Sequence, residues 1–347
     1  MESSLKKYTT FLLFVTLLIT GLIVGEQLMV PFAWSFLFAF VMHPLCAFLE
    51  HKKFSRASAA VFSTLVFCVV GGAIFFFLVY EAVNIIKEEA TLYEKVKIGI
   101  DQLTNSVERT FGLSIQALGI APSGTSNMGG IIGWVAGQIS KLSQNIVTLT
   151  LIPMYLFFVL NYRALARRFM LHKFSGERLE QAQSFFANAQ RSIKSYLAGT
   201  LLLTGICAMM SFVILLLFGV RYAFFFGVFI AVLNLIPYIG NLIAFIVILL
   251  FMWITKDSGW AVLFAGISLY ASNLVQENFL RPKLIGNKME MNAMMVFTAV
   301  IVGGMVWGFS GMVLFIPMVG ILQALVNSHP DWKGYAILFE EPNKSED

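Results

Sequence analysis

Residues 222–255 read YAFFFGVFIAVLNLIPYIGNLIAFIVILLFMWIT, without one Asp, Glu, Lys or Arg. About 20 predominantly apolar residues suffice to cross a bilayer, so this run is too long for a single crossing. Its middle is polar and rich in helix breakers: Asn234, Pro237, Tyr238, Gly240 and Asn241. The run therefore reads as two helices folded back on each other, each of about 15 residues or roughly 23 Å, slightly short of a full crossing. The run 291–328 repeats the design, interrupted by Gly303, Gly304, Gly308, Gly311 and Pro317. Paired short hydrophobic segments broken by Gly and Pro are the sequence mark of a transport site.

Working outward, the chain continues the same theme. It is 58% hydrophobic and 12% charged, against roughly 25% charged for a soluble domain, and its mean hydropathy is +0.80. Further charge-free runs occupy 8–25, 57–80, 142–162, 195–220 and 258–276. The pattern predicts spans at 9–25, 28–49, 57–86, 133–161 and 195–218 ahead of the broken runs. The fold class is all-α: a polytopic membrane protein of about eight spans with Pro/Gly-broken helical hairpins. Eight crossings leave one hairpin re-entrant, and ten result if every segment crosses. Lys6 and Lys7 precede an apolar run with no A-x-A-like cleavage site, so the first span reads as uncleaved.

Basic residues lie between the apolar runs and report orientation. They gather at Lys6 and Lys7, at 51–56, at 163–194, and at Arg281, Lys283 and Lys288. The alternate loops are short or balanced, which places both termini in the cytoplasm. A net charge of +5 spread in this way does not indicate nucleic acid. Arg163, Arg167, Arg168 and Lys173 can instead meet anionic lipid headgroups, or simply serve as solvated topology signals.

Five regions follow. Residues 1–86 hold three membrane helices. Residues 87–130 form an external cap, whose Tyr93, Val96, Ile100, Leu103 and Val107 paint one apolar stripe along a helix; the stripe packs on its own chain or lipid, or pairs subunits. Residues 131–194 hold the fourth span and a basic cytoplasmic loop helix, with Leu179, Ala182, Phe186, Ala189 and Ile193 at helical spacing. Residues 195–328 are the transport core, and 329–347 a cytoplasmic tail.

Two constellations can carry chemistry. In the first, Pro237 removes a backbone donor and frees carbonyls for a cation or polar solute. Gly240 permits a turn, and Asn234 and Asn241 supply donors and acceptors. The plainer reading is a hairpin turn whose asparagines cap the helix ends. In the second, Asn273, Gln276 and Glu277 stand at i, i+3 and i+4 on one helix face, followed by Asn278. Arg281 lies four residues after Glu277, favourable for an ion pair, and Pro282 predicts that the helix ends at Arg281. The plainer reading here is an interfacial salt bridge. Cys46, Cys68 and Cys207 lack metal or redox spacing and read as small apolar packing residues. The four histidines are scattered, so no metal site is expected. No G-x-S-x-G or Walker motif occurs, which argues against an enzyme, and no cofactor is expected.

The stretch from Val220-Arg-Tyr-Ala-Phe-Phe-Phe-Gly227 to Asn234-Leu-Ile-Pro-Tyr-Ile-Gly240 resembles the signature of the autoinducer-2 exporter family of bacterial transporters. So do Glu277-Asn-Phe-Leu-Arg-Pro-Lys-Leu-Ile-Gly286 and the Gly-rich segments ending at Phe315-Ile-Pro317. His43-Pro44 stands where the family often has Asn-Pro. The resemblance covers nearly the whole chain. It implies an inner-membrane secondary transporter or exporter that works as a homo-oligomer, a pentamer being one form. Its solute would be small and polar, such as the quorum signal autoinducer-2. The alternative is sodium/proton antiport with Glu277 as the exchanging carboxylate. A membrane scaffold is a further alternative, under which alanine at Asn234 or Pro237 leaves function untouched.

The orientation is open to a direct check. Single cysteines near residue 105 should react with an impermeant maleimide from outside intact cells, and those near residue 175 should not. The opposite labelling pattern would invert the topology.

Overall fold

The computed structural model describes residues 2–88, 146–236, 239–256, 258–284, 291–328 and 332–339. All regular structure among them is helical. Helices α1 (Glu2–Val24) and α2 (Glu26–His51) meet at Gly25, and α3 (Arg56–Glu88) follows. The spans expected at 28–49 and 57–86 fall within α2 and α3, and the one expected at 9–25 reaches one residue past α1, to Gly25. The cap expected at 87–130, with its stripe, lies beyond residue 88 outside the described residues.

Helix α4 (Ile146–Lys173) packs along α2. Both contain prolines: Pro31 and Pro44 in α2, Pro153 in α4. Here the buried Ser35 hydroxyl lies 2.6 Å from the Pro31 carbonyl and 2.8 Å from that of Ile152, joining the helices beside their prolines. Small residues then let α2, α3 and α4 approach closely, with Ala39, Cys46, Ala59 and Ala60 around Leu156 and Leu160. At one end of this trio Arg163 pairs with Glu50 and donates to Cys46 Sγ and the Leu160 carbonyl, each at 3.3 Å. Arg163 thus ties α4 to α2 from within the protein.

Helix α5 runs from Glu177 to Leu217 as one element of 41 residues, about 60 Å long. This corrects the expectation of a separate loop helix followed by a span at 195–218, and the regional boundary at 194/195 falls inside it. Between these ends there is no proline, and the apolar stripe of the loop helix continues into the span, with Ala189 and Ile193 buried. What changes near residue 195 is the solvent around the helix, not its backbone.

Helices α6 (Ala223–Leu233) and α7 (Ile239–Thr255) form the hairpin read from residues 222–255. With 11 and 17 residues they measure about 16 and 26 Å, shorter than the roughly 30 Å hydrocarbon core. They pack with α5 and α8 (Gly259–Val275) around Leu215, Phe226, Ile248, Met252 and Leu269. Helix α8 opens on the Ser258 side chain, which accepts from the Ala261 N–H, a conventional N-cap.

Helix α10 (Ala293–Ser328) is a second hairpin. Its path breaks at Trp307 (φ −130°, ψ 22°) and Gly308 (φ 56°, ψ −137°), and the positive φ favours glycine. Below this tip Gly303 and Gly311 face each other so closely that a Cβ on either would meet the other's backbone. The tip is anchored where Trp307 Nε1 donates to the Leu22 carbonyl at 2.9 Å, and Trp34 Nε1 donates to Ser310 Oγ at 3.2 Å. Around these cores the outer faces are apolar and bare, as at Leu17, Phe76, Leu217 and Met305. That is the surface a bilayer covers, and the molecule is an all-α multi-pass membrane protein.

The two kinds of glycine in α10 should separate by mutation. A Cβ at Gly308 meets open space, so Gly308→Ala costs only backbone strain, about 2 kcal/mol at a φ/ψ pair that L residues rarely adopt. Gly311→Ala has to push the arms apart and should cost about 3 kcal/mol. Thermal unfolding in detergent should show the larger fall for Gly311→Ala; equal falls would mean that the arms are not in contact.

Candidate functional site

The two sequence constellations meet where α5, the α6–α7 break and the end of α8 converge. Asn234 closes α6 with its N–H on the Ile230 carbonyl at 2.8 Å. Its side chain turns to α5, donating from Nδ2 to Cys207 Sγ at 3.2 Å. Cys207 donates to Gln276 Oε1 at 2.6 Å, and Gln276 Nε2 donates to Ser272 Oγ at 3.0 Å. A buried chain of polar groups thus runs from α6 through α5 to α8, and Asn234 Oδ1 at its head has no partner among the described residues.

Asn241, in the first turn of α7, donates from Nδ2 to Asn273 Oδ1 on α8 at 2.9 Å. Asn234 thus stands at the C-terminal cap of α6, as the plainer expectation has it, while the side chains of both asparagines bridge to neighbouring helices. Gly240 also differs from expectation. It lies within α7 rather than at a turn, and its lack of a side chain serves close approach, since a Cβ there would collide with the Leu233 carbonyl. Pro237 and Tyr238 lie outside the described residues.

The helix does not end at Arg281, as Pro282 had suggested. Residues Gln276–Leu280 form a π turn, in which the Arg281 N–H reaches the Gln276 carbonyl, and α9 (Arg281–Leu284) continues in helical geometry. The wider turn takes in a residue whose ring offers no N–H and would crowd a regular α-helix. The three side chains expected on one face find separate partners. Asn273 faces α7, Gln276 faces α5, and Glu277 pairs with Arg281. That pair is bidentate, with Nε to Oε2 at 2.7 Å and Nη2 to Oε1 at 2.9 Å. Asn278 is exposed and donates to the Leu274 carbonyl at 2.9 Å, and Pro282 and Lys283 are exposed.

The residues that sequence reading passed over stand on α5. Tyr196, Thr200, Thr204, Cys207 and Ser211 recur at steps of four, four, three and four, which places them on one helix face. Cys207 and Ser211 are buried, and Thr204 Oγ1 is buried without a partner among the described residues. Arg281 lies within electrostatic reach of both Tyr196 and Cys207. The helical spacing of hydroxyls within an otherwise apolar span was the signal available. Together the groups make a track of neutral donors and acceptors, with the Glu277–Arg281 pair near its Tyr196 end. Among the described residues no cluster could hold a metal ion.

The Asn241–Asn273 bridge offers a test of structure against transport. Either asparagine replaced by leucine leaves its partner amide unsatisfied and should cost about 1–2 kcal/mol, whereas replacing both should recover most of the stability. If the bridge belongs to the path, the double variant should regain its thermal midpoint but not its flux. Recovery of both would leave the bridge purely structural.

The chain has clear relatives. The profile of the AI-2E family transporters matches residues 12–331. A putative transport protein of Haemophilus influenzae is 26% identical, over 97% of this chain and 98% of its own length. The AI-2 transport protein TqsA of Escherichia coli is 23% identical, over 94% of each chain. The putative transport protein YrrI of Bacillus subtilis is 24% identical over 57% of this chain and 55% of its own. A family match across nearly all the described helices, joined to a polar track enclosed by broken ones, makes this chain a multi-pass transport protein belonging to the AI-2E transporter family.

Proposed function

We propose that this chain is a secondary transporter that carries a small polar solute across a bacterial inner membrane, with both termini in the cytoplasm, and that the solute is autoinducer-2. The observation that carries the reading is the polar face of α5, Tyr196 to Ser211, enclosed by the α6–α7 break and the π turn. Its hydroxyl, thiol and amide groups suit a neutral solute held by hydrogen bonds. In a setting of low dielectric, such groups are costly to leave unpaired, so a solute that pairs them binds and discriminates. The name of the Escherichia coli relative, matched along almost its whole length, supports autoinducer-2 in particular.

Cation/proton antiport requires a carboxylate that takes up and releases a proton in each cycle. Both carboxylate oxygens of Glu277 are engaged by Arg281, the geometry of a fixed ion pair between neighbouring turns. The pair acts instead as a fixed feature of the track's end. It orients α9 and sets which solutes approach.

Flux in proteoliposomes separates the readings. Glu277→Gln should reduce autoinducer-2 transport about two- to fivefold, the weight of one partly exposed ion pair, with an unchanged dependence on pH. Loss of proton flux together with a flattened pH profile would establish the antiporter instead. Wild-type protein that moves no autoinducer-2 would remove that solute.

A further inference from the structure

Cys207 occupies the junction of the two family motifs. Its sulfur accepts from Asn234 Nδ2 at 3.2 Å and donates to Gln276 Oε1 at 2.6 Å. The thiol is wholly buried, and Asn234 and Gln276 are each 5% exposed. A cysteine that merely fills space makes contacts without direction. One that donates and accepts at once fixes the planes of two amides.

What this fixing achieves shows at Asn234. One edge of its amide is committed to the sulfur, while Oδ1 remains buried and unpaired among the described residues. Thr204, one turn before Cys207 on the same face of α5, also holds a buried hydroxyl oxygen without a partner among those residues. Buried polar atoms normally find partners, so two unpaired oxygens, one on the residue that donates to the thiol and one a turn before it on α5, mark a place where a ligand can supply the missing bonds. Gln276 is held on its far side by Ser272 at 3.0 Å, so the thiol bonds to a side chain that cannot easily swing away.

We infer that Cys207 is a positioning residue for transport. Its thiol holds the Asn234 amide so that Oδ1 faces the path, where it accepts a hydrogen bond from a hydroxyl of the solute. The inference rests on the reading of the α5 face as the solute path. Serine in place of Cys207 keeps both the donor and the acceptor, whereas valine keeps bulk and removes both.

The test is uptake kinetics of autoinducer-2 in proteoliposomes containing the wild type, Cys207→Ser, Cys207→Val and Asn234→Ala, with thermal midpoints recorded for each. Cys207→Val and Asn234→Ala should raise KM about tenfold, the loss of one well-oriented hydrogen bond, at a similar Vmax per folded protein. Cys207→Ser should stay within about threefold of the wild type, since its hydroxyl can make both bonds. Wild-type KM in Cys207→Val with impairment in Cys207→Ser would show a packing residue and overturn the inference. A second readout needs no solute: the thermal stabilities of Cys207→Val, Gln276→Leu and their combination. Additive losses overturn the inference. Non-additive losses support it, even if the wild type moves no autoinducer-2, in which case only the solute assignment falls.

Discussion

Inside a bilayer no water is available to take over a backbone group that leaves its helix, and each such group must find a partner within the protein. Among the described residues, three breaks or widenings show how this is met, each in its own local way. At 234–236 the turn closes on itself, with Ile236 N–H on the Leu233 carbonyl at 2.9 Å and Gly240 N–H on the Ile236 carbonyl at 3.1 Å. At 276–280 the π turn shifts the bonding by one residue. At 307–308 the tip is compact, and the indole of Trp307 is spent on the Leu22 carbonyl. Breaks that need this much support are retained where polar backbone and side chains are wanted at depth. Two of the three, the α6–α7 break and the π turn, border the α5 track.

The same constraint explains which parts of the fold were legible in the sequence. Spans 9–25, 28–49 and 57–86 could be read because lipid imposes length and apolarity together. The hairpin at 222–255 could be read because its charge-free length exceeded any single crossing. Helix α5 could not be bounded, because composition changes at residue 195 as the helix passes from water into lipid, and a change of solvent resembles a change of element. Pro282 misled for a related reason. The rule that proline ends a helix assumes i, i+4 bonding, and a single π turn relaxes that assumption.

The site was legible in outline. Asn234, Asn241, Asn273, Gln276, Glu277 and Arg281 all stand in the convergence of α5 to α9, because amides and charges are too costly in lipid to be placed without partners. The partners themselves were hidden. Cysteine and threonine pass for small apolar residues in a hydropathy profile, so Cys207 and Thr204 gave little sign individually. Asn278 shows the opposite error: a polar residue inside a motif that satisfies itself on the Leu274 carbonyl and faces outward.

The track is closed at its middle, since Cys207, Asn234 and Gln276 are buried, while Glu277 and Arg281 remain partly open. Passage of a solute therefore requires some element to move. The trio of α2, α3 and α4 is poorly suited to moving. Its helices are stapled at depth by Ser35 between two carbonyls, and at one end by Glu50 with Arg163. An ion pair broken at half-burial leaves two uncompensated charges. The α6–α7 hairpin packs its apolar arms closely on its neighbours, and its polar holds lie at the break. Its arms are short, its hold on α5 at the break is one amide-to-thiol bond, and its hold on α8 includes one amide pair. Neutral hydrogen bonds of this kind exchange for bonds to a polar solute at little net cost. The bonds that close the track are therefore of the same type as those a polar solute would make in replacing them.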